Sequence, residues 1–126
     1  MYRIPCQLEG EEQAALFRWA QFQSGKYPEL DLMFHIPNGG YRNKAEAAHL
    51  KAQGVRPGVP DLCVPVARMG YHGLYIEMKA KKNGRVSAYQ QRWLVLLREN
   101  GYCAYVCNGA DAAIKLLDQY MTGMLS

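Results

Sequence analysis

The chain has 126 residues and a formal net charge of +4, with 49% hydrophobic and 21% charged residues. This length suits one domain that buries a core without disulfide bonds, and the composition excludes an intrinsically disordered chain. The sequence lacks the run of roughly 18 apolar residues that a membrane-spanning helix needs. Glu9, Glu11 and Glu12 stand where a signal peptide would be apolar. We therefore expect a single domain over residues 1–126, not associated with a membrane and located in the cytoplasm.

Hydrophobic periodicity and turn signals predict the secondary structure in chain order. We expect helices over residues 11–22, 43–53, 87–100 and 110–121, and strands over residues 32–36, 61–66, 74–80 and 102–107. The order α-β-α-β-β-α-β-α predicts an α/β fold in which helices flank a mixed sheet. Ala45, Ala48 and Ala52 give the second helix a small-residue face, which we expect to pack closely against another element.

Positive charge is concentrated in two parts of the chain. One part has no acidic residue between its first and last members, Lys79, Lys81, Lys82, Arg85, Arg92 and Arg98. The other consists of Arg42, Lys44, Lys51 and Arg56. Concentrated positive charge can follow a phosphate backbone, although a solvated face of a basic protein has the same composition.

One group of residues has the chemistry of a metal site. Glu77 and Lys79 are two apart on a predicted strand, so their side chains project to the same face. Asp61 follows Pro60 at the start of the neighbouring strand and can share a hard cation with Glu77. The backbone carbonyl of Met78 is a further candidate ligand, and Glu12 on the first helix is a candidate third carboxylate. An acid-x-lysine triplet alone is also typical of an ion pair on a strand surface.

The four cysteines and three histidines do not form the paired spacing of a zinc site. We interpret the thiols as buried and free in a reducing compartment. Oxygen ligands from carboxylates instead favour Mg²⁺ or Mn²⁺.

Three motifs follow one another with short spacings: Gly58-Val59-Pro60-Asp61-Leu62, then Gly73-Leu74-Tyr75-Ile76-Glu77-Met78-Lys79, then Val86-Ser87 with Gln90 before Trp93-Leu94. Together they resemble the VRR-NUC family, which belongs to the PD-(D/E)XK nuclease superfamily. The upstream run Ile36-Pro37-Asn38-Gly39-Gly40 with Arg42, and residues 47–54, are also similar to the family pattern. The resemblance extends over residues 12–106 and implies a restriction-endonuclease-like mixed sheet flanked by helices. The length resembles that of the stand-alone form found in phages and bacteria.

The resemblance implies roles for individual residues. Asp61 and Glu77 would be metal ligands, and Lys79 would be the catalytic lysine. Glu12 matches the N-terminal acidic position, with Glu11 as the alternative. Gln90 matches a helix glutamine of the active site.

Gln90 also has a structural interpretation. Ser87-x-x-Gln90 is a capping box, in which Ser87 begins the helix and Gln90 bonds back to its amide. Both interpretations remain open.

DNA contacts are also expected outside the catalytic centre. The resemblance implies Asn38, Gly39, Gly40, Arg42 and Lys44, and the basic stretch adds Lys81, Lys82 and Arg85. Asn38, Gly39 and Gly40 can equally be a simple turn. Tyr41, Tyr71 and Tyr89 can stack on bases or sugars, or belong to the core.

We therefore expect a Mg²⁺- or Mn²⁺-dependent endonuclease that hydrolyses DNA phosphodiester bonds. Stand-alone members of the family resemble junction-resolving enzymes, which implies a homodimer that acts on branched DNA. The alternatives are a non-catalytic nucleic-acid-binding module and a protein-interaction domain that does not bind DNA.

Overall fold

The structure is a computed structural model that describes the backbone of residues 5–37 and 43–125 and the side chains of residues 10–37 and 43–125. Within these ranges the helices are α1 (Pro5–Phe22), α2 (Lys44–Ala52), α3 (Ala88–Glu99) and α4 (Ala110–Thr122). The strands are β1 (Phe34–His35), β2 (Leu62–Val64), β3 (Leu74–Lys79) and β4 (Cys103–Asn108). A 3-10 helix, Pro28–Leu32, precedes β1. The predicted order of helices and strands is confirmed.

Proline accounts for several differences from the predicted boundaries. Helix α1 begins six residues earlier than expected, at Pro5, which is a favoured first helical residue. The strand predicted over residues 32–36 is reduced to Phe34 and His35, because Pro28 starts a 3-10 helix that occupies the preceding segment. Strand β2 ends before Pro65, which has no N–H to donate to a sheet.

The four strands form one mixed sheet in the order β1-β2-β3-β4. Strands β1 and β2 are antiparallel, as are β2 and β3, whereas β3 and β4 are parallel. Helix α3 forms the crossover that a parallel connection requires. In the β2–β3 pair, Leu62 lies opposite Ile76.

Each face of the sheet is covered by a different hydrophobic cluster. Alternate residues of β3 point to opposite faces, so Leu74 and Ile76 lie on one face and Tyr75 on the other. The larger cluster joins the sheet to α1 and α4 through residues such as Leu16, Ala20, Leu62, Val64, Ala113, Leu117 and Tyr120. The smaller cluster joins it to α3 through Leu94, Leu97, Ala104, Trp93 and Val106. The face that carries α3 is therefore the face to which Glu77 and Lys79 project.

The expected close packing of the small-residue face of α2 is wrong. Helix α2 contains no buried residue, and Ala45, Ala48 and Ala52 are exposed. Alanine methyl groups alone offer little apolar area, and the remaining helix residues are mostly polar or charged. Local bonds stabilise the helix instead: the side chain of Asn43 accepts a hydrogen bond of 2.7 Å from the backbone N–H of Glu46.

Three predicted free thiols are confirmed, because Cys63, Cys103 and Cys107 are unpaired and buried. Burial raises the pKa of the Cys103 and Cys107 thiols to about 11. The side chain of Cys6 lies outside the described residues. Among the described helices, none is both long enough and apolar enough to cross a bilayer.

Tyr120 belongs to the larger hydrophobic cluster, and its hydroxyl links α4 to the segment that follows β2. It is fully buried and donates a 2.6 Å hydrogen bond to the carbonyl of Val66. We expect Tyr120→Phe to lower the free energy of unfolding by about 1–2 kcal/mol, because the buried carbonyl loses its donor. Urea denaturation measures this change. Tyr105→Phe, at an exposed tyrosine, is the control and should change stability by less than about 0.5 kcal/mol. Equal stability of both variants would contradict the role given to this hydrogen bond.

Candidate active site

Glu77 and Lys79 lie side by side on β3 and are almost completely buried. Their residues are 2% and 7% exposed, respectively. Lys79 Nζ lies 3.1 Å from Glu77 Oε2, so the two side chains form an ion pair beneath α3. The alternation predicted for this strand is confirmed. The pair is not the surface ion pair that the triplet alone could have indicated.

Asp61 lies directly beside Glu77. Continuing the β2–β3 register by one residue places Asp61 opposite Glu77, and opposed side chains project to the same face with Cβ atoms roughly 5 Å apart. The Asp61 carboxylate accepts a 2.8 Å hydrogen bond from the backbone N–H of Met78. The structure therefore brings the two predicted metal-ligating carboxylates together.

The backbone of Asp61 is held by β1. Its carbonyl accepts a 2.7 Å hydrogen bond from the N–H of Ile36, and Nδ1 of His35 lies 2.9 Å from the same oxygen. Sequence reasoning did not assign His35 a role. The signal was faint, because only the pairing of β1 with β2 places residue 35 beside residue 61.

The segment that leads to Asp61 is attached to α3. Trp93 Nε1 donates a 2.9 Å hydrogen bond to the carbonyl of Pro57. Gly58 has φ +87°, and a Cβ at this position would lie 2.5 Å from the carbonyl carbon of Tyr89. Only glycine permits both this conformation and this close approach. The contact explains why the motif contains glycine three residues before the aspartate.

Gln90 combines the two interpretations that its sequence position allowed. The capping box is confirmed: Gln90 N–H donates to Ser87 Oγ at 3.1 Å, and Gln90 Oε1 accepts from the Ser87 N–H at 2.9 Å. The other end of the same amide donates from Nε2 to Glu77 Oε2 at 3.1 Å. Gln90 thus connects the first turn of α3 to the candidate metal ligand. Its capping-box bonds fix the direction in which Nε2 points.

The electrostatics of Glu77 are unfavourable for an ionised carboxylate. Burial, followed by the negative charge of Asp61, raises the pKa of Glu77 to about 8, although Lys79 acts in the opposite direction. One oxygen, Oε2, receives the bonds from Lys79 and Gln90. The other oxygen, Oε1, is buried and accepts no hydrogen bond from a donor of the described residues, although the neutral acid can share a proton with Asp61. A buried polar atom in this state costs free energy unless it finds a ligand.

The residues present fit a small hard cation. Asp61 and Glu77 supply carboxylate oxygens of the type that Mg²⁺ and Mn²⁺ prefer. The Met78 N–H points toward Asp61, and in an extended strand the C=O of the same residue points to the same edge. The continued register places Pro60 opposite Met78, and proline has no N–H with which to occupy that carbonyl. The Met78 carbonyl, a predicted ligand, therefore points toward the strand that carries Asp61.

Glu12 does not join Asp61 and Glu77 in a metal-binding group. Its carboxylate accepts a hydrogen bond from the backbone N–H of Ala110, the first residue of α4, and lies 3.9 Å from Lys81 Nζ. The residue before the helix is Gly109, which has no side chain to cap it. Within the described side chains, no three His, Cys, Asp or Glu residues form a metal-binding group. The arrangement makes Glu12 a helix cap, and its proposed role as a third ligand lacks structural support.

The predicted DNA contacts fall into three groups. Asn38, Gly39, Gly40 and Arg42 lie outside the described residues. Lys81 is 3.9 Å from both Glu12 and Asp111, so its charge is partly balanced. Lys44, Lys82 and Arg85 are exposed, which leaves them accessible to a phosphate backbone.

The close approach of Gly84 to Lys79 leads to a test of the lysine's surroundings. A Cβ at Gly84 would lie 2.8 Å from Lys79 Cβ and 3.0 Å from the Ala80 carbonyl oxygen. We expect Gly84→Ala to lower the free energy of unfolding by about 1–3 kcal/mol, because the turn and β3 must separate. Urea denaturation measures the loss. Gly25→Ala is a matched control, because a Cβ there meets no atom within 4 Å. Equal stability of the two variants would show that the turn does not press on Lys79.

Comparison with known proteins identifies the family and agrees with the fold. A model of the VRR-NUC domain family matches residues 7–111. A solved structure titled "VRR_NUC domain protein" is similar, with a TM-score of 0.79 and 36% identity over 90% of this chain and 88% of that chain. No curated protein matches the chain. Because the family model covers most of the chain, the protein belongs to the VRR-NUC family of nuclease domains.

Proposed function

We propose that this protein is an endonuclease that requires a divalent cation and hydrolyses phosphodiester bonds of DNA. The observation that supports this proposal most strongly is the unpartnered, buried Oε1 of Glu77, opposite Asp61 and next to an ion-paired lysine. Two neighbouring carboxylates repel each other, and burial strengthens the repulsion. A cation relieves both costs at once. A domain that only needed a stable core would not gain from this arrangement.

The proposed cofactor is Mg²⁺ or Mn²⁺, held by Asp61, Glu77 and the Met78 carbonyl. Magnesium sites commonly use one or two carboxylates and leave other positions to water and substrate phosphate. Two carboxylates and one carbonyl therefore suffice. The bound cation would supply Lewis acidity that activates water and stabilises negative charge on the phosphoryl oxygens.

The two carboxylate oxygens of Glu77 have different partners. Both donors bind Oε2, so Oε1 is left for the cation. An ammonium held at this position can also donate to an attacking water or to a phosphoryl oxygen whose negative charge grows in the transition state. Gln90 acts as a positioning residue, since it orients Glu77 from the rigid first turn of α3. The chain thus keeps its donors in place before the substrate binds.

We propose branched DNA as the substrate and a homodimer as the active form. The support is the resemblance of stand-alone family members to junction-resolving enzymes. A dimer with two-fold symmetry places two equivalent active sites in one particle, so it can cut two strands of a junction. Sedimentation equilibrium and cleavage of four-way, flapped and linear DNA test these two features separately.

A non-catalytic DNA-binding module is the second candidate, because the exposed cations Lys44, Lys82 and Arg85 would serve it equally well. Such a module has no use for an unpartnered carboxylate oxygen in its interior. Cleavage in the presence of a divalent cation separates the two candidates, because a pure binding module leaves the DNA intact.

Two substitutions separate the roles of the cation and the lysine. We expect Glu77→Gln to reduce DNA cleavage by more than about 100-fold and to abolish the rise in melting temperature that Mn²⁺ causes in the wild type. Lys79→Met should reduce cleavage by roughly 100-fold or more and should keep the Mn²⁺-dependent rise, because it removes a transition-state donor and leaves both carboxylates. Glu99→Gln, at an exposed acid on α3, is the matched control and should behave like the wild type.

Two results would contradict the proposed function. If the wild type leaves every DNA substrate intact with Mg²⁺ and Mn²⁺, the protein is not this nuclease. If Glu77→Gln still shows the full Mn²⁺-dependent stabilisation, the cation binds elsewhere.

A second pair of variants separates the two functions of Gln90. Ser87→Ala and Gln90→Ala both break the capping box, so each should lower the free energy of unfolding by about 1 kcal/mol. Only Gln90→Ala also removes the bond to Glu77, and we expect it to lower kcat by 10- to 100-fold, whereas Ser87→Ala stays within about three-fold of the wild type. Equal losses of kcat in the two variants would mean that Gln90 acts only through helix stability.

A further inference from the structure

The sequence left Tyr41, Tyr71 and Tyr89 as equal candidates for stacking on DNA, and the structure distinguishes Tyr89 from Tyr71. Tyr71 lies against Tyr120, with ring centroids 6.4 Å apart, and Tyr41 lies outside the described residues. Tyr89 is 64% exposed. Among the side chains of residues 10–37 and 43–125, none provides Tyr89 with a hydrogen bond, an aromatic contact or a cationic contact. The ring of Tyr89 is therefore accessible to a ligand.

The position of Tyr89 relates it to the active site. It precedes Gln90, whose side chain bonds to Glu77. Its backbone contacts Gly58 closely, and Gly58 lies three residues before Asp61. Tyr89 therefore lies where the segment leading to one metal ligand meets the helix that orients the other.

Exposed cations surround this position in the sequence and on the helix. Lys82 and Arg85 belong to the turn that enters α3. Arg92 lies three residues after Tyr89, so the two side chains are neighbours on one face of the helix. All three cations are exposed, and none forms an ion pair with a described residue. An exposed aromatic ring among cations is the pattern of a surface that binds single-stranded nucleic acid.

We propose that Tyr89 and Arg92 form a nucleotide-binding subsite next to the active site, and this inference rests on the proposed function. Tyr89 stacks on the base of an unpaired nucleotide that adjoins the scissile phosphate, and Arg92 binds a neighbouring phosphate. The base must be unpaired, because both faces of a base inside a duplex are already covered by its neighbours. The subsite therefore selects DNA with an open nucleotide, such as a flap or a branch point, over continuous duplex.

Steady-state cleavage tests the subsite on two substrates of equal sequence, a continuous duplex and the same duplex with a single-stranded flap. We expect Tyr89→Ala to raise KM for the flapped substrate roughly 10-fold, to keep kcat within two-fold and to leave the duplex unaffected. Tyr89→Phe and Tyr89→Trp retain an aromatic face and should keep the wild-type KM. Tyr105→Ala, at an exposed tyrosine on β4, is the control and should have no effect.

The salt dependence of KM for the flapped substrate distinguishes stacking from phosphate binding. The defect of Tyr89→Ala should be the same at low and high salt. The defect of Arg92→Ala should shrink as salt increases, because it removes an electrostatic contact. An assay of binding, independent of cleavage, uses 2-aminopurine in the flap and the Lys79→Met background. Stacking on Tyr89 should change the fluorescence, and Tyr89→Ala should abolish that change.

Several results would overturn the inference. One is an unchanged KM and fluorescence signal in a Tyr89→Ala variant that melts like the wild type. Another is a changed oligomeric state of Tyr89→Ala with unchanged affinity for the flap, which would mean that a second copy covers the ring. These outcomes are distinct from failure of the proposed function. If the wild type cuts no DNA, the nuclease proposal fails, and the fluorescence assay still decides whether Tyr89 stacks on a nucleotide.

Discussion

The burial of Glu77 beside Asp61 is the constraint on which the candidate active site depends. Burial of one carboxylate next to another favours the neutral acid. The pKa of Glu77 therefore rises to about 8, even though Lys79 Nζ lies 3.1 Å from Glu77 Oε2. A single lysine does not compensate for the desolvation. In the proposed function a divalent cation does so more effectively, because it carries twice the charge of the lysine and can bind both carboxylates. The fold thus stores an unfavourable arrangement that a ligand can relieve.

Helix α3 keeps this arrangement rigid. Its first turn orients Glu77 through Gln90, and its surface holds the Asp61 segment through Trp93 and the contact of Tyr89 with Gly58. One helix therefore fixes the positions of Asp61 and Glu77, the two candidate ligands from different strands. The larger hydrophobic cluster, on the opposite face of the sheet, supports β3 from behind. Substitutions in α3 should consequently affect the active site more than equally destabilising substitutions in α4.

Sequence patterns predicted the parts of the site that depend on local geometry. Alternation along β3 placed Glu77 and Lys79 on one face, and the capping-box spacing identified the bonds between Ser87 and Gln90. The bond from Gln90 to Glu77 came only from the structure. Patterns failed where distant segments meet. Glu12 caps α4 because Gly109 has no side chain that could do so. Glu12 and the start of α4 are 98 residues apart in the sequence. The exposure of Tyr89 and of α2 likewise depends on which surfaces the remaining chain leaves uncovered.

The proposed metal site can be located by anomalous scattering from a crystal of the protein soaked in Mn²⁺. We expect one strong peak in contact with carboxylate oxygens of Asp61 and Glu77 and with the carbonyl oxygen of Met78. A crystal that shows no peak there, or a peak only near Glu12 and Asp111, would contradict the proposal that Glu77 and Asp61 hold the cation.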